Sequence, residues 1–306
     1  VKLALAMILA MAAPATAMAQ AEQICDGVLI DAARDNRRLP VRVRLPAGAG
    51  PHPVILFSHG LGGSVAAGTL WATAWAKAGF AVIHIQHPGS DASLMAGATR
   101  PLLALRAGMT PAQYVARVSD MKFVIGSVGG PLSIGACPLS RLDASRIGIA
   151  GHSFGAQTVQ AVAGQQFATA DGLVSLGDAR VRAAIALSPA PAAAQADDVA
   201  FARITMPFLS VTGTADELPM LNNVKAADRT RPYRAMPAGE KYLLVADGAD
   251  HMLFSGGEMR RTPTPVDLRT QALVTTVTTW FWQRTLGDNP TALPPINTEY
   301  ARWESK

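Results

Sequence analysis

RIGIAGHSFGAQTV, residues 146 to 159, joins two kinds of chain. Arg146 to Ala150 is a short apolar run of the sort that fills a buried strand, and Phe154 to Ala163 has helical composition. Between them, GHSFG places Ser153 in the pattern G-x-S-x-G at a strand-to-helix turn. Such a turn is sharp and strained. It lifts the serine hydroxyl above the sheet edge, and the flanking glycines let it close without clashes. A glycine-rich turn with an inert serine is the competing reading, and the rest of the chain has to decide between them.

Outward from this turn, short β-rich runs alternate with helical stretches. Val54 to Phe57 (VILF), Ala81 to Ile85, Ala183 to Leu187, Phe208 to Val211 and Tyr242 to Val245 read as buried strands. Val41 to Leu45 (VRVRL) alternates apolar and basic residues, as a half-exposed antiparallel strand does. Helices are predicted over Ser64 to Ala78, stopped by Gly79; from Pro111 after Thr110 to about Ile125; and over Leu268 to Leu286, where Trp280, Phe281 and Trp282 are expected to pack. Pro88 to Met109 has no clean period and reads as loop with short helical pieces. The fold class predicted is α/β: a mostly parallel sheet of about eight strands with helices on both faces, in one domain over residues 20–306.

A serine hydroxyl is too weakly acidic to attack an ester unaided, so a base must take its proton and a third group must orient that base. In folds with this turn the chain order is serine, then acid, then histidine. The six histidines are His52, His59, His84, His87, His152 and His251. Only His251, in GADHM, follows Ser153, so order alone selects it as the base. Ten carboxylates lie between the two. Asp216, in VTGTAD directly after the strand at Phe208, sits where catalytic groups gather at strand carboxyl ends. Glu217 is adjacent but would point elsewhere, and Asp250 is the immediate neighbour of His251, an awkward geometry for bonding its Nδ1. The loop SHGLGG, Ser58 to Gly63, follows the buried strand VILF, and its glycines free backbone N–H groups to face a developing oxyanion. Leu61 and Phe154 are the expected donors. A tight turn needing glycine for positive φ explains SHGLGG equally well.

FSHGLGGS (57–64) and GHSFGAQTV (151–159) resemble the corresponding segments of plasma-type platelet-activating-factor acetylhydrolases and of bacterial predicted dienelactone-hydrolase-like proteins. The likeness runs from about Val54 to His251, and only the motif segments are specific. It implies an α/β-hydrolase fold, no metal, and backbone donors at Leu61 and Phe154. Two departures limit it. The plasma-type enzymes carry their acid after the strand that here reads AAIALS, where this chain has Ser188. Dienelactone hydrolases use a cysteine nucleophile, whereas this chain has Ser153. Phospholipid specificity is therefore not carried over, and ordinary ester hydrolysis is the expectation.

Around this centre, His87 in HPGSD, Leu218 after Asp216, and Met252 and Leu253 after His251 are candidate substrate contacts, though packing serves as well for any one of them. Lys2, the apolar run Leu3 to Ala13, and Ala17-Met18-Ala19 have the layout of a secretory signal peptide over residues 1–19, which predicts export to the periplasm or the medium. Export favours a disulfide between the two cysteines, Cys25 and Cys137. The chain has 306 residues, 49% hydrophobic and 16% charged, and a formal net charge of +5 without a dense basic tract. That argues against a nucleic-acid partner, and no internal apolar stretch is long enough for a membrane span. A small-molecule, lipid or polyester ester is the expected partner, with no cofactor. A cutinase- or lipase-like hydrolase and a non-catalytic binding relative are the alternatives. A peptidase is mechanistically possible, but no cap or propeller domain is evident to select peptides.

Overall fold

In a computed structural model, residues 22–221, 223–257, 262–288, 291–296 and 299–306 are described. The expected signal peptide over residues 1–19 lies outside them. Nine strands form the main sheet: β1 (Gln23–Asp31), β2 (Arg37–Leu45), β3 (His52–Ser58), β4 (Ala81–Ile85), β5 (Leu142–His152), β6 (Val181–Leu187), β7 (Phe208–Ala215), β8 (Lys241–Asp250) and β9 (Ala301–Ser305). Their order is β1-β2-β4-β3-β5-β6-β7-β8-β9. The six strands from β4 to β8 in this order are parallel, and β2 and β9 pair antiparallel to them at the two sides. The sheet thus has nine strands rather than about eight.

The helices are α1 (Thr69–Lys77), α2 (Pro101–Ala107), α3 (Pro111–Ser127), α4 (Phe154–Val162) and α5 (Pro265–Thr285), with single turns at Asp197–Ala200 and Arg231–Ala235. Strand periodicity divides the core. Val54 and Leu56 point with Ile147 and Ile149 to one face, where they meet Val118, Met121 and Val124 of α3 and Val159 of α4. Ile55, Phe57 and Ile185 point to the other, against Trp71 and Trp75 of α1 and Val277, Phe281 and Trp282 of α5. The aromatic run of α5 packs as expected.

Local chemistry sets the helix starts. The Thr110 side chain accepts the Gln113 N–H ahead of α3, and Thr264 with Asp267 forms a reciprocal capping box ahead of α5. The helix predicted from Ser64 begins only at Thr69. Gly68 has φ 76°, its N–H donates to the Ser255 carbonyl, and a Cβ there would enter the Phe57 ring. The chain must make that turn before it can become helical. Cys25 of β1 and Cys137 in a small hairpin at residues 133–138 form a disulfide, which ties the outer edge of the sheet to the segment after α3. Among the described residues no helix is long and apolar enough to cross a membrane.

Candidate active site

β5 sits at the centre of the sheet and ends at His152; α4 starts at Phe154. The single residue between them, Ser153, takes φ 56° and ψ −116°, a backbone conformation that non-glycine residues rarely adopt. Its N–H donates to the Leu187 carbonyl at 2.9 Å, which anchors the bend to β6. Both flanking glycines are required by space. A Cβ on Gly151 would lie 2.9 Å from the Ser58 carbonyl oxygen, and one on Gly155 would collide with that same oxygen.

The bend aims the serine at His251. His251 Nε2 lies 2.8 Å from Ser153 Oγ, and Nδ1 lies 2.6 Å from Asp216 Oδ1. Asp216 stands one residue past β7 and His251 one past β8, so the ends of three parallel strands, β5, β7 and β8, with β6 between the first two, bring together residues far apart in the chain. Burial alone would raise the Asp216 pKa. The hydrogen bond to His251 and the nearby Arg229 charge outweigh it and hold the carboxyl below its ordinary value. An ionised Asp216 takes the Nδ1 proton as a hydrogen bond, leaving Nε2 free to accept one from Ser153. Asp250, set aside as the acid for its place next to His251, accepts the Leu253 N–H at 3.0 Å and shapes the turn that follows His251.

Asp216 is itself held. Thr212 donates its hydroxyl to Oδ2 at 2.8 Å, and the buried Arg229 places Nε 2.8 Å from Oδ1 and 2.6 Å from the Asp216 carbonyl oxygen. Arg229 Nη1 also donates to the carbonyls of Ser188 and Pro189 at 3.2 and 3.1 Å, so it pins the end of β6 beside Asp216. His152 supports His251. Its Nε2 donates to the His251 carbonyl at 2.9 Å, and the two rings pack at 4.8 Å. Burial pushes the His152 pKa down to about 3, which keeps that ring neutral beside His251.

The loop after β3 runs against the serine: a Cβ on Gly60 would be 3.4 Å from Ser153 Cβ. Gly62 donates to the Ser90 carbonyl and Gly63 to that of Gly60, while among the described residues no backbone hydrogen bond uses the N–H of Leu61 or Phe154. Beneath this loop lies a buried polar network. Arg117 of α3 donates from Nη2 to Ser58 Oγ at 2.9 Å and to the His59 carbonyl, from Nη1 to Ser90 Oγ at 2.9 Å and from Nε to Thr158 Oγ1 at 3.1 Å. Its guanidinium also lies 4.7 Å over the Phe154 ring. One side chain therefore clamps the β3 loop to α4. Burial lowers the Arg117 pKa to about 9.

Of the expected substrate contacts, the structure moves two inward. His87 is fully buried, with Nε2 3.0 Å from Ser58 Oγ and Nδ1 3.1 Å from Asp120 Oδ2, so it braces the loop from below instead of lining a pocket rim. Leu253 belongs to the core with Phe254. Leu218 is half-buried, and Met252 is 61% exposed beside His251. Sequence reasoning missed Arg117, Asp120 and Arg229. Arg117 and Asp120 share the inward stripe of α3 with Val118, Met121 and Val124, and charge on an apolar helix face was the signal that could have found them. Arg229 lies in an irregular turn and carries no such signal. Among the described residues no three His, Cys, Asp or Glu side chains are grouped as a metal ion would need.

No protein-family model and no curated protein matches the chain. Among solved structures it is similar to a ferulic acid esterase from Streptomyces cinnamoneus, at 22% identity and a TM-score of 0.64, over 95% of this chain and 98% of that one. It is also similar to a 2,6-dihydroxy-pseudo-oxynicotine hydrolase, at 15% identity and a TM-score of 0.55, over 88% of this chain and 70% of that one. At these identities the likeness is one of architecture. The chain has the α/β-hydrolase fold.

Proposed function

We propose that the protein is an exported serine hydrolase of carboxylic esters, with residues 20–306 acting as one catalytic unit. The observation that carries this reading is the continuous line of contacts from Ser153 Oγ through His251 to Asp216, at 2.8 and 2.6 Å, on a strained strand-to-helix turn. Ser153 Oγ attacks the ester carbonyl carbon while its proton passes to His251 Nε2. The carbonyl oxygen becomes an oxyanion facing the Leu61 and Phe154 N–H groups. As the tetrahedral adduct collapses, the C–O bond to the alcohol breaks and Nε2 returns its proton to the leaving oxygen. Water then repeats the sequence on the acyl-enzyme, releasing the acid and restoring Ser153. Side-chain and backbone groups suffice for each step.

The ferulic acid esterase among the structural neighbours supports ester chemistry, as does the resemblance of FSHGLGGS and GHSFGAQTV to plasma-type acetylhydrolases, and the second neighbour is a hydrolase. The acid site at Asp216, rather than at Ser188, separates this chain from the phospholipid specificity of those enzymes. The disulfide suits an oxidising compartment. A second reading, hydrolysis of lipids or polyesters at a surface, is favoured by the apolar side chains exposed on either side of one contact: Arg106 of α2 donates to the Met220 carbonyl at 2.8 Å, and Leu103 and Met220 stand 59% and 66% exposed.

A graded series of p-nitrophenyl esters, assayed alongside an insoluble polyester and the Ser153→Ala variant, tests both. Turnover of soluble esters that falls by about 10⁴-fold or more in Ser153→Ala is expected. Full activity in that variant would overturn the mechanism, and preferential turnover of the polymer would move the substrate to the second reading.

A further inference from the structure

Beside the strained turn lies a cavity of about 540 Å3. It begins one residue past Ser153. Phe154 and Gln157 of α4 form one side, Tyr114 and Val115 of α3 a second, and Phe167 and Val174 of a hairpin at residues 166–175 a third. The segment 190–195, running on from β6, closes the remainder. These walls are tied to each other. Tyr114 donates its hydroxyl to the Gln157 carbonyl at 2.9 Å and sets its ring edge-on to Phe167 at 5.7 Å. Gln195 accepts the Ala168 N–H at 2.5 Å and donates to the Gln166 carbonyl at 2.9 Å, which holds the hairpin in place.

We infer that this cavity is the subsite for the acyl half of the ester, and that it takes an uncharged, chiefly apolar acyl group much larger than acetyl. The inference rests on the catalytic reading of Ser153 and follows from the directions available around the tetrahedral carbon. One substituent, the oxyanion, faces Leu61 and Phe154. The leaving oxygen must face His251 Nε2, which protonates it. The acyl chain takes the direction away from His251. Phe154 lines the cavity and no described residue of the loops carrying Asp216 and His251 does, which puts it toward α4 and away from His251.

Its chemistry sets the class of group. Among the described residues that line it, none is Asp, Glu, Lys or Arg. A carboxylate or ammonium on the acyl chain would lose its hydration there and meet no opposite charge. The polar groups present are neutral, chiefly the amides of Gln157, Gln165, Gln166 and Gln195 and the hydroxyls of Thr110 and Thr169. The volume is within the range of small-molecule sites, and an acetyl group would leave most of it without contacts.

Val115 and Val174 line the cavity yet are 50% and 43% exposed, so tryptophan at either position narrows it without entering the core. The test compares kcat/KM for p-nitrophenyl hexanoate, p-nitrophenyl acetate and mono-p-nitrophenyl adipate, which has the hexanoate chain length with a terminal carboxylate. In the unsubstituted protein, hexanoate should exceed adipate by about a hundredfold; in Val115→Trp and Val174→Trp the hexanoate-to-acetate ratio should fall about tenfold with acetate held within about twofold. Adipate turned over as well as hexanoate, or a ratio unchanged in both variants, overturns the inference. Should Ser153→Ala keep full turnover of the esters, the catalytic reading falls, and the cavity is then judged by binding of the neutral fluorophore N-phenyl-1-naphthylamine to Ser153→Ala. Affinity that drops about tenfold on adding Val174→Trp supports an apolar, uncharged subsite, and equal affinity in the two proteins contradicts it.

Discussion

His251 has an oxygen at each ring nitrogen, Ser153 Oγ at 2.8 Å and Asp216 Oδ1 at 2.6 Å, and the second of these contacts fixes which nitrogen carries the proton. Asp216→Asn removes that control. It also removes the counter-charge of Arg229, whose Nε lies 2.8 Å from Oδ1 in a buried setting. The expected result is a fall in kcat of about 10³- to 10⁴-fold with KM little changed, read from steady-state ester hydrolysis, together with a lowered midpoint in urea. A variant with unimpaired kcat would show that another group orients His251. The contact line is legible in the sequence: His251 because no other histidine follows Ser153, and Asp216 because it falls at a strand end. Arg229 is not legible. Its role exists only where the end of β6, the Asp216 loop and its own turn meet.

At the scale of elements, the packing of α4 against the end of β3 governs the turn. Gly155 is the contact point, since any Cβ there meets the Ser58 carbonyl. Gly155→Ala is expected to force these two elements apart and to lower the unfolding free energy by on the order of 3 kcal/mol, measured by urea denaturation. A stability equal to that of the unsubstituted chain would mean that the two elements separate at no cost. The strands read from apolar runs, such as Ala81–Ile85, were legible because burial on both faces leaves a continuous apolar signature. β1 and β9 were not. They are the outer strands, only partly buried, and Gln, Asp, Gly, Arg and Glu in them blur the period. The shortened start of α1 was hidden for a different reason: Gly68 is placed by Phe57 and Ser255, both distant in sequence.

Across the whole molecule, His59, His84, His87 and His152 are fully buried, and burial depresses the pKa of each, to about 4 for His84 and His87 and about 3 for His152. Unfolded, each returns to its ordinary value of 6.5. Between about pH 4 and 6.5 the unfolded chain therefore binds more protons than the folded one, so stability is full above that window and falls as the pH falls through it. Asp120, held at about 2 against its burial by hydrogen bonds from His87 and Arg37, extends the loss below pH 4. A thermal midpoint that declines steadily from pH 7 to pH 4 is the expected result, and a flat profile would contradict the neutral burial of these rings. None of this is legible in a single sequence, because burial of a histidine is a property of the assembled layers. The central claim concerns a different reactivity of the same assembled chain: one serine made nucleophilic by its fold. Treating the native protein with a fluorophosphonate and locating the adduct by peptide mass spectrometry tests it most directly. One label per chain on Ser153, lost when the protein is unfolded before treatment, is the expected result; no label, or a label on another residue, would contradict it.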